Sequence, residues 1–93
     1  MNSHTVSLCM IVKNEEKFLE NCLKSVKDFV DEMIVVDTGS ADRTVEIAKS
    51  HNARVFYFEW INDFAAARNY ALDQATGEYV LVMDADEYLE QGE

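Results

Sequence analysis

Two aspartates one residue apart, Asp84 and Asp86, close the short apolar run Tyr79-Val80-Leu81-Val82-Met83. Apolar runs of this length bounded by turn signals read as fully buried strands. Both carboxylates are therefore expected where a strand leaves a sheet. At spacing i, i+2 they can share one hard divalent cation, directly or through water. Mg²⁺ typically takes one or two carboxylates plus substrate phosphates. A second apolar run, Met33-Ile34-Val35-Val36, ends on Asp37 ahead of Thr38-Gly39-Ser40. Asp37 can begin that turn or reach a ligand, and Gly39 is free to take positive φ. In open α/β sheets ligands bind beyond the carboxyl ends of the strands, so these acids are expected to converge on one crevice. Arg68, about one turn into a helix that starts near Asp63, is the cation placed to face a diphosphate. Neither glycine-rich phosphate loop, GxxxxGK followed by Ser or Thr, or GxGxxG, occurs in the sequence. A metal held by Asp84 and Asp86 is the natural substitute for such a cradle.

The elements that must position these groups can be taken in order. Residues 5–12 are β-rich and predict a first strand. Asn14 is a good helix N-cap, and Glu15 and Glu16 suit a first turn. Phe18, Leu19, Cys22, Leu23 and Val26 recur at helical spacing, so a first helix is expected over 15–27. A second strand over 33–36 follows. Ser40 or Asp42 can cap a helix over 42–50, with Val45 and Ala48 facing inward. Asn52 turns the chain into a third strand over 54–58. Asn62 or Asp63 caps a third helix over 64–75, with Phe64, Ala67, Ala71, Leu72 and Ala75 on its inner face. Gly77 suits a left-handed position past that helix end. The fourth strand is the one that carries Asp84. Strands alternating with helices imply an α/β fold with a parallel sheet. Four near-continuous apolar strands fit a sheet covered on both faces, giving three α/β/α layers.

Composition narrows the function class. The 93 residues, 48% hydrophobic and 11% aromatic, predict a single small domain with a real core. Net charge is −10, from 8 basic and 18 acidic residues. That argues against nucleic acid or an anionic membrane as partner, since both need a basic face. No apolar run approaches the roughly 18 residues that span a bilayer, and the N-terminus lacks the features of a signal peptide. A cytoplasmic chain is expected. Cys9 and Cys22 form no metal-binding spacing and read as buried free thiols. His4 and His51 read as solvated. Trp60, Phe56, Tyr57 and Phe58 read as core or partner-contact residues.

Four ordered stretches together resemble family 2 glycosyltransferases of the GT-A type. They are the opening 7–16 (SLCMIVKNEE), 34–44 (IVVDTGSADRT), 63–72 (DFAAARNYAL) and the closing Asp84-Ala85-Asp86. The resemblance covers nearly the whole chain. It implies a Rossmann-like nucleotide-diphosphosugar-binding half with strand order 3-2-1-4. It also implies that Val12, Asn14 and Glu16 contact the nucleoside and that Asp37 hydrogen-bonds the base. Asp84 and Asp86 would bind Mg²⁺ or Mn²⁺ and the ribose–diphosphate, while Arg68 and Asn69 line the same pocket. The family's acceptor-binding half, with its catalytic base, has no counterpart after Asp86. These residues are therefore expected to bind the donor, a UDP-sugar, with little turnover, as one truncated domain over 1–93. Two rival readings are a non-catalytic or self-associating α/β module, whose surface is left uncovered by the missing half, and a nucleotidyltransferase-like enzyme. The lack of a glycine-rich phosphate loop counts against the latter.

Overall fold

Apolar strands and amphipathic stripes alternate along the chain. The computed structural model describes residues 5–85. It contains β1 (Val6–Val12), α1 (Leu19–Val26), β2 (Glu32–Asp37), α2 (Thr44–Ser50), β3 (Arg54–Tyr57), α3 (Phe64–Gln74) and β4 (Tyr79–Val82). All strand pairs are parallel, and the order is β3-β2-β1-β4, as the resemblance implies. β1 lies against β2 from Ser7 opposite Glu32 to Val12 opposite Asp37. Strand alternation sends Leu8, Met10 and Val12 to one face, where they meet Leu19, Cys22, Leu23 and Val26 of α1 and Ala48 of α2. Cys9, Ile34 and Val36 face the other way, against Ala71 of α3. Full burial of Leu8 or Leu23 contributes about 2 kcal/mol each. Ala67 and Ala71 are buried on α3, and such small side chains let a helix approach a sheet closely. Phe56 and Phe58 pack on Tyr70 of the same helix. Among the described residues no helix is long and apolar enough to cross a membrane.

Several expectations need correcting. β4 is not a fully buried strand: Tyr79, Val80 and Val82 are exposed, because β4 is the sheet's edge and α3 packs mainly over β1 and β2. α1 starts at Leu19 rather than near 15, and no side chain caps it. Phe64 and Leu72 are exposed rather than inward. His51 is not solvated; its side chain is 19% exposed and lies 3.7 Å from Glu20. Gly77 does not share the positive φ of Gly39. Its lack of a side chain serves a close approach instead, since a Cβ there would stand 2.6 Å from Ser7 Oγ and 2.9 Å from Ser7 N. Cys9 and Cys22 are buried free thiols, as expected. Burial, helped by the charge of Glu32, pushes the Cys9 thiol up, away from a reactive thiolate.

The edge of the sheet where β1, β2 and β3 begin is held by Glu32. Its carboxylate accepts hydrogen bonds from the Ser7 hydroxyl, the Thr76 backbone N–H and hydroxyl, and Arg54. Ser7 Oγ in turn accepts from the Gly77 N–H at 2.8 Å. Burial pushes this carboxyl up, but the donors from Ser7, Thr76 and Arg54 outweigh it and hold it at about 2, against an ordinary 4.5. The folded state thus binds this proton less readily than the unfolded chain. The stabilisation is complete above pH 4.5 and is lost as pH falls towards 2. The urea midpoint of the native chain should therefore fall more steeply over that range than that of Glu32→Gln; parallel curves would contradict the assignment. Gly77→Ala should cost about 1–3 kcal/mol in the same assay, because the added methyl meets β1 backbone that cannot move aside.

Candidate functional site

At the opposite edge of the sheet the chain leaves β1 at Lys13 and β2 at Thr38, and these two loops are hydrogen-bonded to each other. Three consecutive backbone N–H groups point across the gap. Asn14 donates to Ser40 Oγ, Glu15 to Thr44 Oγ1 and Glu16 to Asp42 Oδ2, at 2.8, 2.8 and 3.2 Å. Two bonds return: the Ala41 N–H donates to Asn14 Oδ1 at 2.7 Å, and the Arg43 N–H to Glu16 Oε1 at 3.1 Å. The hydroxyls relay onward, Ser40 to Asp37 and Thr44 to Asp42. The Thr44 hydroxyl bond holds the Asp42 carboxyl below its ordinary range, against a smaller effect of burial. Asn14 sits at φ 56, a left-handed conformation that Asn tolerates. Asn14 and Glu16 therefore clamp two loops together instead of starting α1. Asp42 acts as a cap, accepting from the Thr44 N–H, and Asp63 caps α3 through the Ala66 N–H.

Asp37 is 2% exposed. It accepts from the Gly39 and Ser40 N–H groups and the Ser40 hydroxyl. A carboxylate has about four acceptor positions, so this loop occupies three of them and leaves one.

Beside the clamp, a cleft of about 390 Å³ opens between the ends of β1 and β4. Ile11, Val12, Lys13 and Glu15 line it from β1 and its exit, Thr38 from the exit of β2, and Asp84 and Ala85 from just past the end of β4. Trp60 and Phe64, from the loop before α3 and its first turn, complete it. Val12 and Asp84 thus meet in one cleft, as expected. Asn14, Glu16 and Asp37 lie alongside in the clamp. Arg68 lines a smaller adjoining hollow with Asp84, its guanidinium 5.1 Å from the centroid of the Phe64 ring. Asn69 is exposed and lines neither hollow. Asp86 lies outside the described residues.

Sequence reasoning missed Lys13, Trp60 and Phe64 as cleft residues. Lys13 had a usable signal, since it directly follows the last residue of β1, and Asp37 and Asp84 likewise sit at or just past a strand end. For Trp60 and Phe64 no such signal exists; their placement depends on how the loop after β3 turns.

A family model, Glycosyl transferase family 2, matches residues 7–93. The chain belongs to this family. A TPR repeat-containing protein of Synechococcus elongatus is 57% identical over 84 residues, which are 90% of this chain and 21% of that protein. The SPbeta prophage-derived glycosyltransferase SunS of Bacillus subtilis is 43% identical over 84 residues, 88% of this chain and 20% of that one. The chain therefore spans about a fifth of the length of these family relatives. Among solved structures, glucosyl-3-phosphoglycerate synthase from Mycobacterium tuberculosis, in complex with Mn²⁺, UDP and glucosyl-3-phosphoglycerate, superposes with a TM-score of 0.78 at 26% identity. That match covers 92% of this chain and 36% of the synthase. Residues 1–349 of S. aureus TarS superpose with a TM-score of 0.75 at 29% identity, over 90% of this chain and 28% of that one. The fold is the Rossmann-like GT-A fold that the four sequence stretches imply.

The clamp yields a stability test. Asn14→Ala loses one hydrogen bond and places at φ 56 a residue that tolerates left-handed backbone less well than asparagine, so it should cost about 2 kcal/mol. Asn14→Gly loses only the bond and should cost about 1 kcal/mol less. Equal urea midpoints for the two variants would contradict the left-handed assignment.

Proposed function

We propose that this chain is the donor-binding part of an inverting, metal-dependent glycosyltransferase. The whole protein moves a sugar from a nucleotide-diphosphate donor, a UDP-sugar, to a hydroxyl acceptor. The observation that carries this reading is the cleft between the ends of β1 and β4, lined by Val12, Trp60 and Phe64 together with Lys13 and Asp84. The family match and the superposition on a synthase in complex with Mn²⁺ and UDP support it. Val12 and Thr38 support the nucleoside, and the free acceptor position of Asp37 receives a base N–H. Lys13 and Arg68 oppose the charge of the diphosphate. Asp84 and Asp86 hold Mg²⁺ or Mn²⁺, since aspartate oxygens are hard donors that suit such ions. Asp84 contributes from the cleft lining. When bound, the ion stabilises the charge of the departing nucleoside diphosphate. Acceptor binding and deprotonation belong, in this reading, to the part of the longer relatives that this chain does not match. The 93 residues alone then bind donor with little turnover, and the chain works in the cytoplasm.

One observation favours a second reading, a self-associating α/β module. Tyr79, Val80 and Val82 are exposed on the edge strand β4, and exposed apolar edges invite pairing with another chain.

Titration of UDP with and without Mn²⁺, followed by backbone amide NMR, separates the two. Donor binding predicts that the diamagnetic ion Mg²⁺ gives UDP-dependent shifts clustered at residues 11–15, 37–40 and 84–86, and that Mn²⁺ broadens the same amides. Asp84→Ala and Asp86→Ala should each weaken Mn²⁺-dependent binding about tenfold or more. No shifts from a folded sample at saturating UDP, together with a stable oligomer, would favour the module instead.

A further inference from the structure

Trp60 is the chain's one tryptophan. It lies in the loop between β3 and α3, lines the cleft, and is 41% exposed. Its indole Nε1–H donates to Asn62 Oδ1 at 3.0 Å. Asn62 sits at φ 61, in the left-handed region that asparagine tolerates. The ring's orientation is thus fixed from its polar edge. The ring and cation contacts seen among the described residues join Phe56 and Phe58 to Tyr70, Arg54 to Phe56, and Arg68 to Phe64. None of them uses Trp60. A tryptophan kept for the core would be covered by other side chains. This one is 41% exposed on a concave surface, with its indole N–H bonded to Asn62.

The two walls of the cleft differ in chemistry. Trp60 enters from the loop after β3, and Asp84 enters from the end of β4; these strands are the two outer strands of the sheet. The aromatic wall and the carboxylate wall are therefore supplied from opposite sides of β1. A ligand that satisfies both has a flat aromatic end and a hydroxyl-rich or phosphorylated end. In a nucleotide-sugar the base is the only planar aromatic surface, whereas sugar rings carry hydroxyls around a puckered ring.

We propose that Trp60 is a specificity-determining residue that stacks on the nucleobase of the donor, with Asn62 as the positioning residue that holds the indole. This rests on the donor-binding reading above. Aromatic–base stacking tolerates any base, because every base has a π face. Trp60 therefore supplies affinity for a nucleotide over a sugar phosphate, and the choice among bases falls to polar groups at the base edge.

The single tryptophan is also the reporter. In the presence of Mn²⁺, UDP and UMP should quench Trp60 fluorescence, and ribose 5-phosphate should not. With diamagnetic Mg²⁺ in place of Mn²⁺, the uracil H5 and H6 protons should move upfield on binding, as ring currents of a stacked indole require. By calorimetry Trp60→Ala should bind UDP about tenfold more weakly, with Trp60→Phe retaining part of the affinity. Asn62→Gly keeps the left-handed turn and removes only the acceptor, so it should lower affinity and diminish the upfield shift together. Calorimetric UDP binding with unshifted uracil protons and unchanged affinity in Trp60→Ala would overturn the inference while leaving donor binding intact. Equal quenching by ribose 5-phosphate would overturn the assignment of the base to this wall. No UDP binding by the native chain at all would overturn the donor-binding reading and this inference with it.

Discussion

The structure depends on the reciprocal hydrogen bonding between the loop after β1 and the loop after β2. Three consecutive N–H groups, Asn14, Glu15 and Glu16, are satisfied by side chains of the second loop, and two bonds return. Backbone donors at a helix start otherwise need water or a cap. Here they bind two adjacent crossovers into one rigid rim. Because that rim is fixed, Lys13 and Glu15 line the cleft together with Thr38. A cleft built on loops needs such support, since small displacements of binding groups cost affinity steeply.

The two edges of the sheet divide the work. At one, Glu32 gathers donors from Ser7, Thr76 and Arg54, and Gly77 allows the start of β4 to lie close against β1. That edge contributes stability and holds the register. At the other edge the strand ends carry Lys13, Thr38 and Asp84 around an open volume. Strength is spent on holding β4 against β1 at its start, which leaves the ends of both strands free to frame the cleft. Among the described residues, Tyr79, Val80 and Val82 of the outer strand β4 stay exposed.

The strands and the third helix were legible because their signals are local. Apolar runs ending on Asp37 and Asp84, the cap at Asp63 and the glycine in the Gly39 turn all read correctly from neighbouring residues. The start of α1 did not. Asn14, Glu15 and Glu16 look like a cap followed by first-turn acids, yet their partners lie 26 to 29 residues later, where no local propensity can reveal them. β4 misled in the same way: its composition is that of a buried strand, and only the sheet order makes it an edge. Within the site, Asp84 was read from its strand end, whereas Val12 came only from the family resemblance; both line the cleft. Trp60 was read as a core or partner-contact residue, because its place beside the cleft is set by the path of the loop after β3, which neighbouring residues do not encode.

In the proposed function a nucleotide and a cation meet at one edge of the sheet, framed by β1 and β4. Mn²⁺ is paramagnetic and broadens the NMR signals of nearby amides, so it can report its own location on the folded chain. In the presence of UDP, broadening at substoichiometric Mn²⁺ should centre on residues 13–15, 38 and 84–85 and spare the opposite edge at Glu32 and Thr76. Broadening centred on Glu32, or spread evenly over the acidic surface, would contradict the account.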